Sequence, residues 1–170
     1  MAEKLSLRDY QRDLAERLRA AETSHTSSRL ALQVGEQGWL VDLVDASEVI
    51  PVPPITPVPM TKAWFRGATN IRGNLYSVAD FSAFLGGAPS ALTEHSRLLL
   101  IGERFRLGAA LLVDRSLGLR NPAQLKELER AAEAAAWLKG EYADEEGRQW
   151  KELDVAQLSQ HPEFLTVAAA

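Results

Sequence analysis

The 170-residue chain has no cysteine, which excludes disulfides and thiol chemistry and suits a cytoplasmic protein. No apolar run approaches the roughly 18 residues of a membrane-spanning helix, and the opening MAEKLSLRD lacks the pattern of a secretory signal. The expectation is therefore a cytoplasmic domain without membrane insertion. Histidine is scarce: His25, His95 and His161 fall in a linker, a loop and a turn before proline. No two of them stand at helical spacing, so no zinc ligand set is legible. Walker loops, G-x-S-x-G and G-x-G-x-x-G are missing, and Gly86-Gly87 reads as a turn or helix stop. Positive charge is also short, with 19 Lys and Arg against 23 Asp and Glu, net −4. That balance argues against a nucleic-acid partner, which needs a concentrated basic surface.

What is present is ordinary for one globular domain: 46% hydrophobic and 25% charged residues. Ser6 to Glu22 reads as an amphipathic helix with Leu7, Tyr10, Leu14, Leu18 and Ala21 on one stripe, followed by the polar linker Thr23 to Ser28. From Arg29 the period becomes two. Leu30, Leu32 and Val34, then Trp39, Val41 and Leu43, flank a hairpin turn at Gly35-Glu36-Gln37-Gly38. Pro51 to Pro59 is an extended surface connection, since prolines cannot donate to a central ladder. Arg97–Ile101 and Phe105–Val113 form a second pair around Gly102-Glu103-Arg104. Asn121-Pro122 opens a run of helix formers to Ala136 that propensity predicts as helix, with Asn121 as N-cap. Gly140–Tyr142 and Gln149–Glu152 make a last hairpin around an acidic turn. Asp154 with Gln157 caps a short terminal helix, after which Pro162, Phe164 and Leu165 close on the body. Many short strands with regular turn signals indicate a mainly β barrel or sandwich.

The segment from Trp64 to Gly86 carries most of the functional signal. Gly67 and Gly73 bracket the tetrad Asn70-Ile71-Arg72-Gly73, and a strand from Leu75 to Phe81 follows. Arg72 is thereby expected at a sharply shaped strand-to-strand turn, where an arginine is a natural donor to a partner. Phe65, Gly67, Asn70-Ile71-Arg72-Gly73 and Asp80-Phe81 resemble the CheW family of chemotaxis adaptors, over about Arg29 to Phe164. Ser77 and Ser82 stand where that family usually has a proline and a basic residue. The chain looks most like the branch attached to type IV pilus (twitching motility) systems.

The resemblance implies two small five-stranded SH3-like barrels, here residues 29–170, behind an N-terminal helix and linker at 1–28. It implies a non-catalytic adaptor without cofactor. One surface would bind the cytoplasmic tip of a methyl-accepting chemoreceptor-like protein, and another the CheW-like regulatory domain of a CheA-type histidine kinase. Self-association in rings is compatible with it. Glu48 matches an acidic residue at the end of the family's second strand, and Arg72 the arginine of the tetrad. The two are expected to pair across neighbouring strands of the first barrel and to hold a groove floored by Val49, Ile71 and Leu75, with Asn70 and Gly73 completing the partner-binding set. Two other classes compete. A small barrel recognising peptide or single-stranded nucleic acid would need Trp39, Trp64, Tyr76 or Trp150 exposed beside a basic groove. An enzyme would have to use Asp42, Asp45 and Glu48, the only close carboxylates outside surface helices, and spacing alone does not set them around a substrate.

Overall fold

The computed structural model describes residues 11–17 and 28–169. Residues 11–17 form a helix, α1, exposed along its length, and the rest of the expected Ser6–Glu22 helix lies outside the described residues. The body consists of two sheets. The five-stranded sheet takes the order β3 (Ala46–Pro51), β6 (Arg97–Ile101), β7 (Ala109–Val113), β5 (Asn74–Asp80), β4 (Phe65–Ile71). The six-stranded sheet takes the order β8 (Arg115–Arg120), β1 (Arg29–Val34), β2 (Gln37–Asp42), β11 (Gln149–Leu153), β10 (Leu138–Ala143), β9 (Lys126–Leu128). Three short helices complete it: α2 (Phe81–Phe84), α3 (Val155–Gln160) and α4 (Pro162–Leu165).

Strand periodicity explains why the chain makes three cores from two sheets. Leu98, Leu100, Ala110 and Leu112 point into the five-stranded barrel with Val78 and Ile71. Their neighbours Leu99, Ile101, Leu111 and Val113 point out of it, into a larger core shared with Leu30, Leu32, Trp39 and Val41 of the other sheet. A strand buried on both faces must be apolar at every position, which is why β6 and β7 read as unbroken hydrophobic runs. The third core, inside the six-stranded barrel, holds Ala31, Leu40 and Trp150. Aromatic rings tie the shared core to α2 and α4: Trp39 meets Phe81 edge-on at 5.0 Å, and Trp64 stacks on Phe164 at 5.8 Å. Truncating one fully buried leucine here, such as Leu99, is expected to cost about 2–5 kcal/mol.

In its elements and chain ends the structure departs from the sequence reading in three places. The run Pro122–Ala136 is not a helix. Asn121 caps a single 3-10 turn over Pro122–Gln124, its Oδ1 accepting from Ala123 N at 3.0 Å, and the chain then becomes β9. Strand β9 pairs with Tyr142 and its neighbours and gives this barrel a sixth strand where five were expected. Helix preference is worth only tenths of a kcal/mol per residue, and Leu125 gains more by packing against the Trp150 core. The segment expected as strand from Phe105 instead begins pairing at Ala109, after a 3-10 turn over Glu103–Phe105. At the C-terminal end Phe164 is buried but Leu165 stays exposed.

Candidate functional site around Glu48 and Arg72

Strands β4 and β5 are joined by the two residues Arg72 and Gly73, at φ 52° and 87°. Positive φ at both central positions is the type I′ hairpin turn, whose twist matches that of the strands it joins. Glycine adopts this at no steric cost. Arginine does not, so Arg72 is held there by its surroundings. Asn70 contributes by accepting the Gly73 N–H on Oδ1 at 2.9 Å. From this turn Arg72 reaches Glu48 with both ends of its guanidinium: Nη1 donates to Oε2 and Nη2 to Oε1, each at 2.7 Å. A planar fork on a carboxylate fixes orientation as well as distance. The Arg72 hydrogen bonds hold the Glu48 carboxyl below the usual carboxylate range, and Glu48 in turn raises Arg72.

Glu48 and Arg72 are not on neighbouring strands. β3 and β4 are the two edges of the five-stranded sheet, and only closure of the barrel brings them together. Closure occurs where the proline-rich connection crosses β4: Thr56 N donates to Ala68 O at 2.8 Å and Ala68 N to Thr56 O at 2.9 Å. Gly67 makes that crossing possible. It sits at φ 130°, and a Cβ there would lie 2.1 Å from the Thr56 carbonyl oxygen. The pair itself is open to solvent, with the Arg72 side chain 71% and the Glu48 side chain 37% exposed.

The expected apolar floor is not formed. Val49 packs against the core shared between the barrels, Ile71 is buried inside the five-stranded barrel, and Leu75 is exposed at the start of β5. Alternate strand residues face opposite sides, so these three cannot line one groove with Glu48 and Arg72. Each of the three carboxylates is taken up by its own arginine as well. Asp42 pairs with Arg29 at 3.3 Å, Asp45 with Arg104, and Glu48 with Arg72. Burial pushes the Asp45 carboxyl up against the opposing pull of Arg104. Among the described residues no three acids or histidines gather as a metal site. Trp39, Trp64 and Trp150 are buried, so none presents a stacking face for a base.

One buried acid escaped the sequence reading. Glu152, 1% exposed, accepts from Arg29 Nε at 2.7 Å, Tyr142 Oη at 2.8 Å and Lys139 Nζ at 3.1 Å. Burial pushes its carboxyl up, but the hydrogen bonds from Tyr142 and Lys139 and the Arg29 charge outweigh that and hold it low. Burial first, and then Glu152, push the Tyr142 hydroxyl up to about 12. The signal was in the phase, because Glu152 shares the inward face of its strand with Trp150. Asp80 is also buried: it caps α2 through Ala83 N at 3.3 Å and anchors Ser90 through N at 2.7 Å and Oγ at 2.9 Å. The aspartate of the Phe65-to-Phe81 pattern thus braces the fold and does not face a partner.

Two packed small barrels that present a fixed guanidinium–carboxylate pair on an exposed turn have the build of an interaction module. The family profile of the CheW-like domain matches residues 29–163, and the chain belongs to that family. Protein PilI of Pseudomonas aeruginosa is 30% identical over 147 residues, covering 83% of this chain and 80% of that one. Chemotaxis protein CheW of Rhizobium meliloti is 32% identical over 85 residues, half of this chain and 54% of its own. Among solved structures, scaffolding protein TtCheW from Thermoanaerobacter tengcongensis superposes with a TM-score of 0.63 at 19% identity, over 75% of this chain and 88% of that one. That last likeness is one of fold.

Proposed function

We propose that the protein is a non-catalytic cytoplasmic adaptor that couples a methyl-accepting chemoreceptor-like protein to a CheA-type histidine kinase, in a pathway controlling type IV pilus twitching motility. The observation that carries this reading is the Glu48–Arg72 fork, locked on a type I′ turn yet open to solvent. A pair placed like this adds little to stability, so its use lies in the geometry it offers a partner. The similarity to PilI supports the pilus branch. Under this reading Glu48, Asn70, Ile71, Arg72 and Gly73 fix the shape of the receptor-facing edge, and exposed Leu75 gives it an apolar contact. Val49 acts from behind, through the shared core. The same reading starts the domain near residue 29, where the family match begins, and leaves residues 1–28 outside it.

The kinase would be met through its own CheW-like domain, barrel against barrel. Such contacts are modest, near or below about 800 Å² per partner, so affinity would come from many linked contacts in an array or ring. The adaptor would carry a signal by favouring one kinase state over another. Co-sedimentation of the full chain with a receptor cytoplasmic fragment and the kinase regulatory domain tests this. Wild type should enter a ternary assembly, and folded Arg72→Glu should lose receptor while keeping kinase. A folded wild type that binds neither partner would overturn the proposal.

A further inference from the structure

The last residues of the chain cover one flank of the five-stranded sheet and leave a cavity beneath them. Side chains along β5 alternate, so Val78 fills the barrel while Ser77 and Ala79 face outward. Ala109 of β7 pairs in register with Ser77 and shares that outward face. These three small side chains keep the floor low. Larger groups stand around it: Trp64 and Phe65 where β4 begins, Leu107 ahead of β7, and Phe164, Leu165 and Val167 from α4 and the segment after it. That segment is tied down where Lys62 N donates to Val167 O at 2.8 Å and Ala169 N to Met60 O at 2.9 Å. The space between these walls measures about 200 Å³.

The chemistry of the lining is uniform. No charged side chain contributes to it. Trp64, Ala79, Ala109 and Phe164 make a buried inner wall, whereas Ser77 and Leu165 are exposed, so the mouth lies on their side. Trp64 lies nearly parallel to Phe164, at 7° between planes, and Phe65 meets Trp64 edge-on at 6.3 Å. The Ser77 hydroxyl makes no hydrogen bond among the described residues.

We propose that this cavity binds a small, uncharged aromatic molecule of about the size of indole, with one N–H or hydroxyl directed to Ser77 Oγ. Apolar cavities of about 150 Å³ take up benzene, so this one suits a slightly larger ring system and is too small for a nucleotide or a peptide. The lining offers no cation for a carboxylate or phosphate and no carboxylate for an amine, which leaves neutral ligands. Rings already set face to face and edge to face accept a further ring in the same geometries. The site shares no residue with the Glu48–Arg72 pair and stands whether or not the adaptor reading holds.

Indole is the probe, titrated into the full chain and followed by the backbone amide shifts of Phe65, Ser77, Ala109 and Val167 in proton–nitrogen NMR spectra. Saturable binding with Kd of about 0.1–1 mM is expected for a fragment of this size. Purine has the same shape and no charge but carries polar nitrogens around its rim. It should bind about tenfold weaker or worse, since those nitrogens lose water without gaining partners. Ser77→Phe changes an exposed position, so it should fold, and by filling the mouth it should weaken indole about tenfold or more. Ser77→Ala keeps the space but removes the acceptor, and should weaken indole about threefold or more. Arg72→Glu should leave indole binding unchanged, which separates this site from the receptor-facing edge. Lack of saturable binding up to about 10 mM, equal affinity for purine, indifference to either Ser77 variant, or shifts confined to residues away from the cavity would each overturn the proposal.

Discussion

Gly67→Ala is the sharpest probe of how this fold makes its site. The added methyl would sit 2.1 Å from the Thr56 carbonyl oxygen and 2.9 Å from Pro57 Cα, both backbone atoms, so the crossing segment must move. Moving it breaks the two Thr56–Ala68 hydrogen bonds that close the barrel, at about 1 kcal/mol each. An alanine held at φ 130° adds about 1–3 kcal/mol of backbone strain. Together these give about 3–5 kcal/mol, or a melting temperature lower by about 6–20 °C for a domain of this size. Gly73→Ala is the matched control. It has φ 87° but nothing within 4 Å of the new Cβ, so strain alone applies and the loss should be at most about 3 kcal/mol. Thermal unfolding followed by circular dichroism, with urea titration to check the slope, measures both. Exchange of the Arg72 and Gly73 amides should also speed up in folded Gly67→Ala, because the Glu48–Arg72 edges are held together by the same closure. If both alanine variants lose equal stability, the contact with Thr56 does not decide the cost and the closure argument fails.

Other outcomes follow from the buried acids and the central pair. Glu152→Ala should cost about 3–5 kcal/mol in chemical denaturation, since it leaves Tyr142 and two cations without their shared acceptor, and Glu152→Gln should cost less. Glu152 has a lowered folded pKa, so its contribution is full above the ordinary glutamate pKa and is lost as pH falls through the lowered value. Acid unfolding of Glu152→Gln should accordingly be less steep, and an unchanged acid limb would count against the network. Tyr142 works in the opposite direction: its stabilising effect is full below pH 10 and lost as pH rises through about 12. Phenolate absorbance of the native protein should show one of the three tyrosines titrating near 12, and Tyr142→Phe should remove that step. Asp80→Ala should cost about 2–4 kcal/mol through the lost cap and Ser90 anchor, and Asp80→Asn less, since one acceptor oxygen survives; equal losses in unfolding titrations would show that the surviving acceptor contributes nothing and would sink the capping argument.

Local pattern settled a good deal of this protein. Period-two alternation from Arg29, the Gly35-to-Gly38 turn and the unbroken runs in β6 and β7 gave the strands, because side-chain direction in a strand depends only on parity. Asp154 and Asn121 declared their caps for the same reason: a short acceptor side chain satisfies an amide two or three residues on. The motif from Phe65 to Phe81 pointed to the family and to Arg72. Packing decided the rest. Pro122–Ala136 has helical propensity throughout, yet Leu125 and the β9 ladder gain more from the barrel than a solvated helix would return. Val49, Ile71 and Leu75 looked like one floor, but strand parity and barrel curvature send them to three different environments. Glu48 meets Arg72 only because two sheet edges, remote in the hydrogen-bonding order, are closed by a segment crossing Gly67. The shared core around Trp39 needs residues from both sheets. These are contacts between distant stretches of chain, and the gain from burying them together is absent from any window of sequence short enough to show a period.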